Sequence, residues 1–118
     1  MTTTNLGMAE VASLIIGSGT AYSSIAIGTG TTAFAATSTQ LNNEYARASA
    51  TASSVTSDVS GDTAQLVHQF SFTESKAITE AGVINHATTG TLLAAQTFSA
   101  VNIVSGDTLQ ITYKIDID

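Results

Sequence analysis

The sequence predicts a mainly β chain: an antiparallel β-sandwich or partly open barrel of about six strands, with a short N-terminal helix. Three observations carry this. From Leu109 to Ile117 every odd position is apolar and every even one polar, the period-2 signature of a strand with one dry and one wet face. The pentapeptide Val-Ser-Gly-Asp-Thr occurs at Val59–Thr63 and again at Val104–Thr108, each time opening such a run. Finally, 34 of the 118 residues are Ser or Thr and Pro is absent, so polarity comes from residues whose branched or small side chains suit exposed strand positions.

Taken in order, Asn5 to Ile16 spaces Leu6, Ala9, Val11, Ala12, Ile15 and Ile16 by three and four residues, which predicts a short helix with Asn5 as its N-cap and Gly17 just past its end. Ala21–Gly28 reads as the first strand, and Gly28–Thr32 as a loop continuing through an Ala/Thr-rich stretch to about Ser38. Thr39–Ala46, with Leu41 and Tyr45 four apart, reads as one or two helical turns. Arg47–Val59 is a weakly amphipathic strand. After the first Gly-Asp turn come strands at Ala64–Thr73, Ala77–Asn85 and Thr91–Val101, separated by turns at Glu74–Lys76 and His86–Gly90. The second Gly-Asp turn delivers the last strand. Six strands at this spacing describe a single domain, 1–118.

Composition narrows the function classes. The formal charge is −6, and Arg47, Lys76 and Lys114 are the only Lys or Arg residues, too few and too scattered to neutralise nucleic-acid phosphates or an anionic membrane. The absence of Cys removes disulfides and thiolate metal sites. The apolar stretch Ala9–Ile16 is interrupted by Glu10 and Ser13 and preceded by no basic residue, so neither a signal peptide nor a membrane span is expected and synthesis in a cytoplasm is.

No reactive constellation emerges, so no enzymatic activity, cofactor or metal is expected. Gly28-Thr29-Gly30 resembles part of a phosphate loop but lacks the third glycine and the lysine, and reads as a turn where backbone passes closely. His68 shares the inward parity of Leu66 and Phe70 and reads as a core or interface histidine; His86 lies in a turn, and neither has the convergent partners of a zinc site. Glu80 shares the parity of Ile78, Gly82 and Ile84. A carboxylate on an apolar face needs a partner, and Arg47 is the expected one, in a structural salt bridge. Asp116 and Asp118 lie on the wet face of the last strand, where charge discourages edge pairing. Met1, Thr2, Thr3, Thr4 and Asn5 form a polar, uncapped segment, expected to be a docking arm that orders on binding.

Five segments in order, Met8-Ala9-Glu10-Val11-Ala12, Ile25 to Thr32, Ile78 to Val83, Gly90 to Ala94 and Ser105 to Leu109, resemble small virion structural proteins of tailed bacteriophages. That group includes capsid decoration or cement proteins and tail or fibre-base components. The fibre version often carries Gly-Asp-Gly where this chain has Gly28-Thr29-Gly30, and it usually continues into a long shaft; with Asp118 as the last residue, no shaft is expected. The resemblance implies a decoration protein that binds the major capsid protein or other virion proteins, assembles as a homo-oligomer with a trimer favoured, and resides in the virion. A tail or fibre-base role is the second expectation. A carbohydrate-binding adhesion module is the third, weakened because sugar platforms need exposed aromatic faces and the chain has no Trp and only Tyr22, Tyr45 and Tyr113.

Overall fold

A computed structural model describes residues 1–117. It contains one helix, α1 (Asn5–Ile15), and eight strands: β1 (Thr2–Thr3), β2 (Ser24–Gly28), β3 (Glu44–Ser49), β4 (Thr51–Val55), β5 (Thr63–Ser71), β6 (Lys76–Ile84), β7 (Leu92–Ile103) and β8 (Thr108–Asp116). They form two antiparallel sheets, β1-β7-β6-β2-β3 and β4-β5-β8. The sheets pack face to face without closing, so the fold is a sandwich and not a barrel.

The two sheets meet over Ile25 and Ile27 of β2, Ala81 and Val83 of β6, and Leu66 and Phe70 of β5, all buried. Alternation accounts for this layer, because each set shares one face of its strand. A second layer, Ala26, Leu41, Leu92 and Ala95 with Phe34 against it, lies on the outer face of the five-stranded sheet under the long connection between β2 and β3. The central strands β2 and β6 are therefore buried on both faces, which is why β2 reads Ser-Ile-Ala-Ile-Gly without alternation.

The two Val-Ser-Gly-Asp-Thr copies build the same turn. Asp62 N–H donates to Val59 O and Asp107 N–H to Val104 O, both at 3.0 Å. Gly61 and Gly106 take φ of 77° and 94°, the left-handed region that favours glycine. Each aspartate then accepts from the valine that opens its turn: Val59 N–H to Asp62 Oδ2 at 2.9 Å and Val104 N–H to Asp107 Oδ2 at 3.0 Å. One copy closes the β4–β5 hairpin; the other carries the chain from one sheet to the other. They launch the neighbouring strands β5 and β8 from opposite ends, since Thr63 pairs with Asp116 and Ser71 with Thr108. Asp62 O also accepts from Ile117 N–H, and Asp107 O from Phe72 N–H, so each turn fastens the far end of the other's strand.

Several expectations are corrected. Residues Thr39–Ala46 form no helical turn: Leu41 is buried over the outer face of the five-stranded sheet, and strand β3 begins at Glu44. The predicted Arg47–Val59 strand is two strands that change sheet at Ala50, whose N–H donates to Ser23 O at 2.7 Å. The N-terminal residues are not a loose arm. Thr2 and Thr3 pair with Ala95 and Ala94 of β7, and Thr4, not Asn5, caps α1, its Oγ1 accepting from Gly7 N–H at 2.9 Å and donating to Leu92 O. Thr4 is buried and Asn5 is the first helical residue; Met1 remains exposed. The far end of α1 is as expected. Gly17 at φ 81° lets Gly17 N–H reach Leu14 O and Ser18 N–H reach Ser13 O, a Schellman closure.

Candidate functional site

The predicted pair of Arg47 and Glu80 does not form. Arg47 makes a bidentate bridge to Glu44, Nη2 to Oε1 at 2.8 Å and Nε to Oε2 at 3.0 Å, and its Nη1 donates to His86 O and Thr89 O, clipping the turn before β7. On the Arg47 side a β-bulge is responsible: Ile27 faces Ala46 while Gly28 faces Glu44, so Tyr45 is an extra residue and Glu44 comes round to the side of Arg47. On β6, next to a register shift whose additional residues lie on β7, Ile78 stays between the sheets and Glu80 turns to the outer, loop-covered face.

There Glu80 is fully buried and accepts three backbone N–H bonds, from Gly30 at 3.0 Å, Asn42 at 3.0 Å and Asn43 at 2.8 Å. Thr79 Oγ1 donates to Gly30 O at 2.6 Å, so both backbone groups of Gly30 are engaged by β6. A Cβ at Gly28 would collide with Asn43 O and the Glu80 carboxylate, and one at Gly30 with Asn42 and the same carboxylate. The Gly-x-Gly segment does pass closely around a carboxyl group, but that group is the chain's own side chain. This site is structural, and it ties down the loop that covers β2 and β6.

The site with an open face is an apolar cleft of about 450 Å³ at the opposite end of the sandwich from the β5–β6 and β7–β8 connections. It arises because β4 begins its pairing opposite Val67 and runs on to Val55 opposite Thr63, carrying the three-stranded sheet past the end of the five-stranded one. Under this overhang Ala64, on the parity of the buried Leu66, is exposed. The lining comes from three directions: Met8, Val11 and Leu14 along one face of α1, Leu66, Ile115 and Ile117 under the overhang, and Tyr22 from the segment entering β2. Helix α1 lies close because Gly7 packs on the backbone of Leu93, where a Cβ would sit 2.6 Å from the Leu93 Cα. Glu10 fixes its exit by accepting from Thr20 N–H at 2.6 Å.

Met1, Met8 and Ile117 at the rim are 60%, 53% and 65% exposed, which leaves an apolar surface on the outside of the domain. Tyr22 is the only titratable side chain of the lining; its hydroxyl is buried without a hydrogen-bond partner, and burial, then the nearby Glu10 charge, push its pKa up to about 12. The cleft can therefore bind apolar groups, and its lining places no nucleophile beside a base. Among the described residues no three His, Asp or Glu side chains converge. His68 is half-buried with its ring edge-on to Phe70 at 4.6 Å, and His86 Nδ1 lies 3.3 Å from Thr88 N. Tyr113 is buried and Tyr45 stacks on Phe72 at 5.8 Å, so neither offers a free aromatic face.

Sequence reasoning missed the cleft although part of its signal was present: Met8, Val11 and Leu14 recur every three residues on one helix face. The missing part is the overhang, which depends on where β4 pairs. Comparison of the chain with family models, curated proteins and solved structures found no match.

Proposed function

We propose that this chain is a non-enzymatic structural protein of a bacteriophage virion, a capsid decoration or cement protein that binds the assembled shell and stabilises it. The observation that carries the reading is the apolar cleft with its exposed rim of Met1, Met8 and Ile117, a surface suited to docking on another protein. The five ordered segments that resemble phage virion proteins supply the partner class, the major capsid protein. Stabilisation follows from mass action: a protein that binds the assembled shell and not its free subunits lowers the free energy of the assembled state. A net charge of −6 with three basic residues disfavours packaged nucleic acid as the partner.

Quantitative mass spectrometry of purified particles tests this. Hundreds of copies per particle are expected, together with lower heat resistance of particles that lack the protein. A handful of copies would move the protein to the tail or fibre base, and absence from the particle would refute a virion role. Within a decoration role, Met8→Glu should reduce particle occupancy in a sedimentation assay while the isolated domain keeps its melting temperature.

A further inference from the structure

The four outer strands of the sandwich differ in how they guard their free edges. β1 is two residues long, β4 is five, and β3 carries a bulge and the Glu44–Arg47 pair. β8 is nine residues long, has no Pro, and pairs with β5 without a register shift. Long, flat, unbulged edges invite another strand, and folds that avoid such pairing interrupt them.

The hydrogen-bond phase of β8 shows which groups are on offer. Ile117 N–H donates to Asp62 O and Phe72 N–H to Asp107 O, so the odd-numbered residues of β8 exchange bonds with β5. Thr108, Gln110, Thr112, Lys114 and Asp116 turn their backbone groups outward, and no strand among the described residues receives them. On the inner face Leu109, Ile111 and Ile115 are only half-buried, although they pack against the core.

We infer that β8 pairs antiparallel with β8 of a second copy about a twofold axis at Thr112, joining the two three-stranded sheets into one of six strands. The sequence of the strand fits itself in this register. Leu109 meets Ile115 and Ile111 meets Tyr113, so every inner pair is apolar; Gln110 meets Lys114, Thr108 meets Asp116 and Thr112 meets Thr112, so no like charges are opposed. A shift of one residue would set apolar side chains on the wet face, and centring on Lys114 would oppose two ammonium groups. The strand itself carries one positive and one negative side chain, a neutral strip on a chain of net charge −6, so two copies can meet here with least repulsion. The expectation that Asp116 protects this edge is revised by the same geometry, because Asp116 Oδ1 accepts from Thr63 Oγ1 across the β5–β8 pair at 3.3 Å; Asp118, named with it, lies outside the described residues. The pairing stands apart from the virion reading, and it makes the twofold dimer, not a trimer, the basic unit in solution.

Sedimentation equilibrium of the full chain should give a dimer. Thr112→Cys introduces the only cysteine, and paired Cα atoms about 5.5 Å apart lie within disulfide reach, so oxidation should yield a covalent dimer while Gln110→Cys, facing Lys114, should not. Thr112→Pro removes an outward N–H that no intrachain bond uses; it should be a folded monomer whose melting temperature, unlike that of the wild type, does not rise with protein concentration. If that variant does not fold, hydrogen exchange of the wild type decides: the Gln110, Thr112 and Lys114 amides should be protected, and lose protection on dilution. A monomeric wild type, a trimer, or a dimer whose three amides exchange freely would each overturn the proposal.

Discussion

The two sheets are made of similar Ser-, Thr- and Ala-rich material, yet they are held in opposite ways. The five-stranded sheet is covered on both faces, and its outer cover is the 29–43 loop, fastened by bonds from Thr79 and Glu80 to residues 37 to 50 positions away. The three-stranded sheet has a bare outer face, and its strands are set by two copies of a turn whose internal bonds span three to five residues. Long-range polar clamping thus builds one sheet and locally encoded turns build the other. Glu80 and Asp62 show the contrast in miniature, each accepting three backbone N–H bonds, one in the deep interior and one at the surface.

Removing the clamp should have the largest effect. Glu80→Ala leaves three backbone donors without their acceptor in a buried site and should cost about 3 kcal/mol or more in urea denaturation, with the 29–43 loop becoming protease-sensitive. A loss no greater than that of Arg47→Gln would show that the loop is held by Leu41 and Phe34 packing alone. Gly28→Ala attacks the same clamp from the backbone side and should cost about 1–3 kcal/mol, because its Cβ meets Asn43 O and Glu80.

The turns should respond less, and unequally. Asp62→Asn should destabilise more than Asp107→Asn, since Asp62 also accepts from Ser57 and Asp58 whereas Asp107 accepts from Val104 alone. The N–H groups of Val59, Ser57 and Asp58 hold the Asp62 carboxyl well below the usual carboxylate range. Its folded-state pKa lies below its unfolded one, so its contribution is complete above about pH 3.9, the unfolded value, and is lost only as pH falls further. The difference in melting temperature between wild type and Asp62→Asn should therefore be constant from neutral pH down to that point and shrink below it; a difference that fades already at mildly acidic pH would disprove this. The smallest change belongs to the bare face: Ser53→Ala, exposed on β4, should stay within about 0.5 kcal/mol.

The same division decides what the sequence made legible. β5 and β8 were readable almost to the residue, because alternation and the Gly-Asp turn are local. The Schellman closure at Gly17 was readable for the same reason. Thr4 and Asn5 are equally good caps in isolation, and only the bond of Thr4 to β7 selects it. Parity reasoning failed at Glu80, beside a register shift against β7, and the choice of Arg47 as its partner failed because a bulge at Tyr45 brings Glu44 to Arg47 first; both irregularities depend on contacts with a distant strand. Leu41 and Tyr45 imitate a helical spacing, while Leu41 is in fact seated by the far side of a sheet. The cleft escaped because it is a product of offset between layers, a property no single segment carries.

The strand that changes sheet at Ala50 has a mechanical consequence. It binds the two sheets along one side like the spine of a book, and the β5–β6 and β7–β8 connections clip them at one end. Among the described residues no connection ties the sheets where Ile115 and Ile117 face α1, the corner farthest from both fastenings. Breathing of the sandwich should start there, so thermal motion and applied load alike would widen that corner before the fastened side and end.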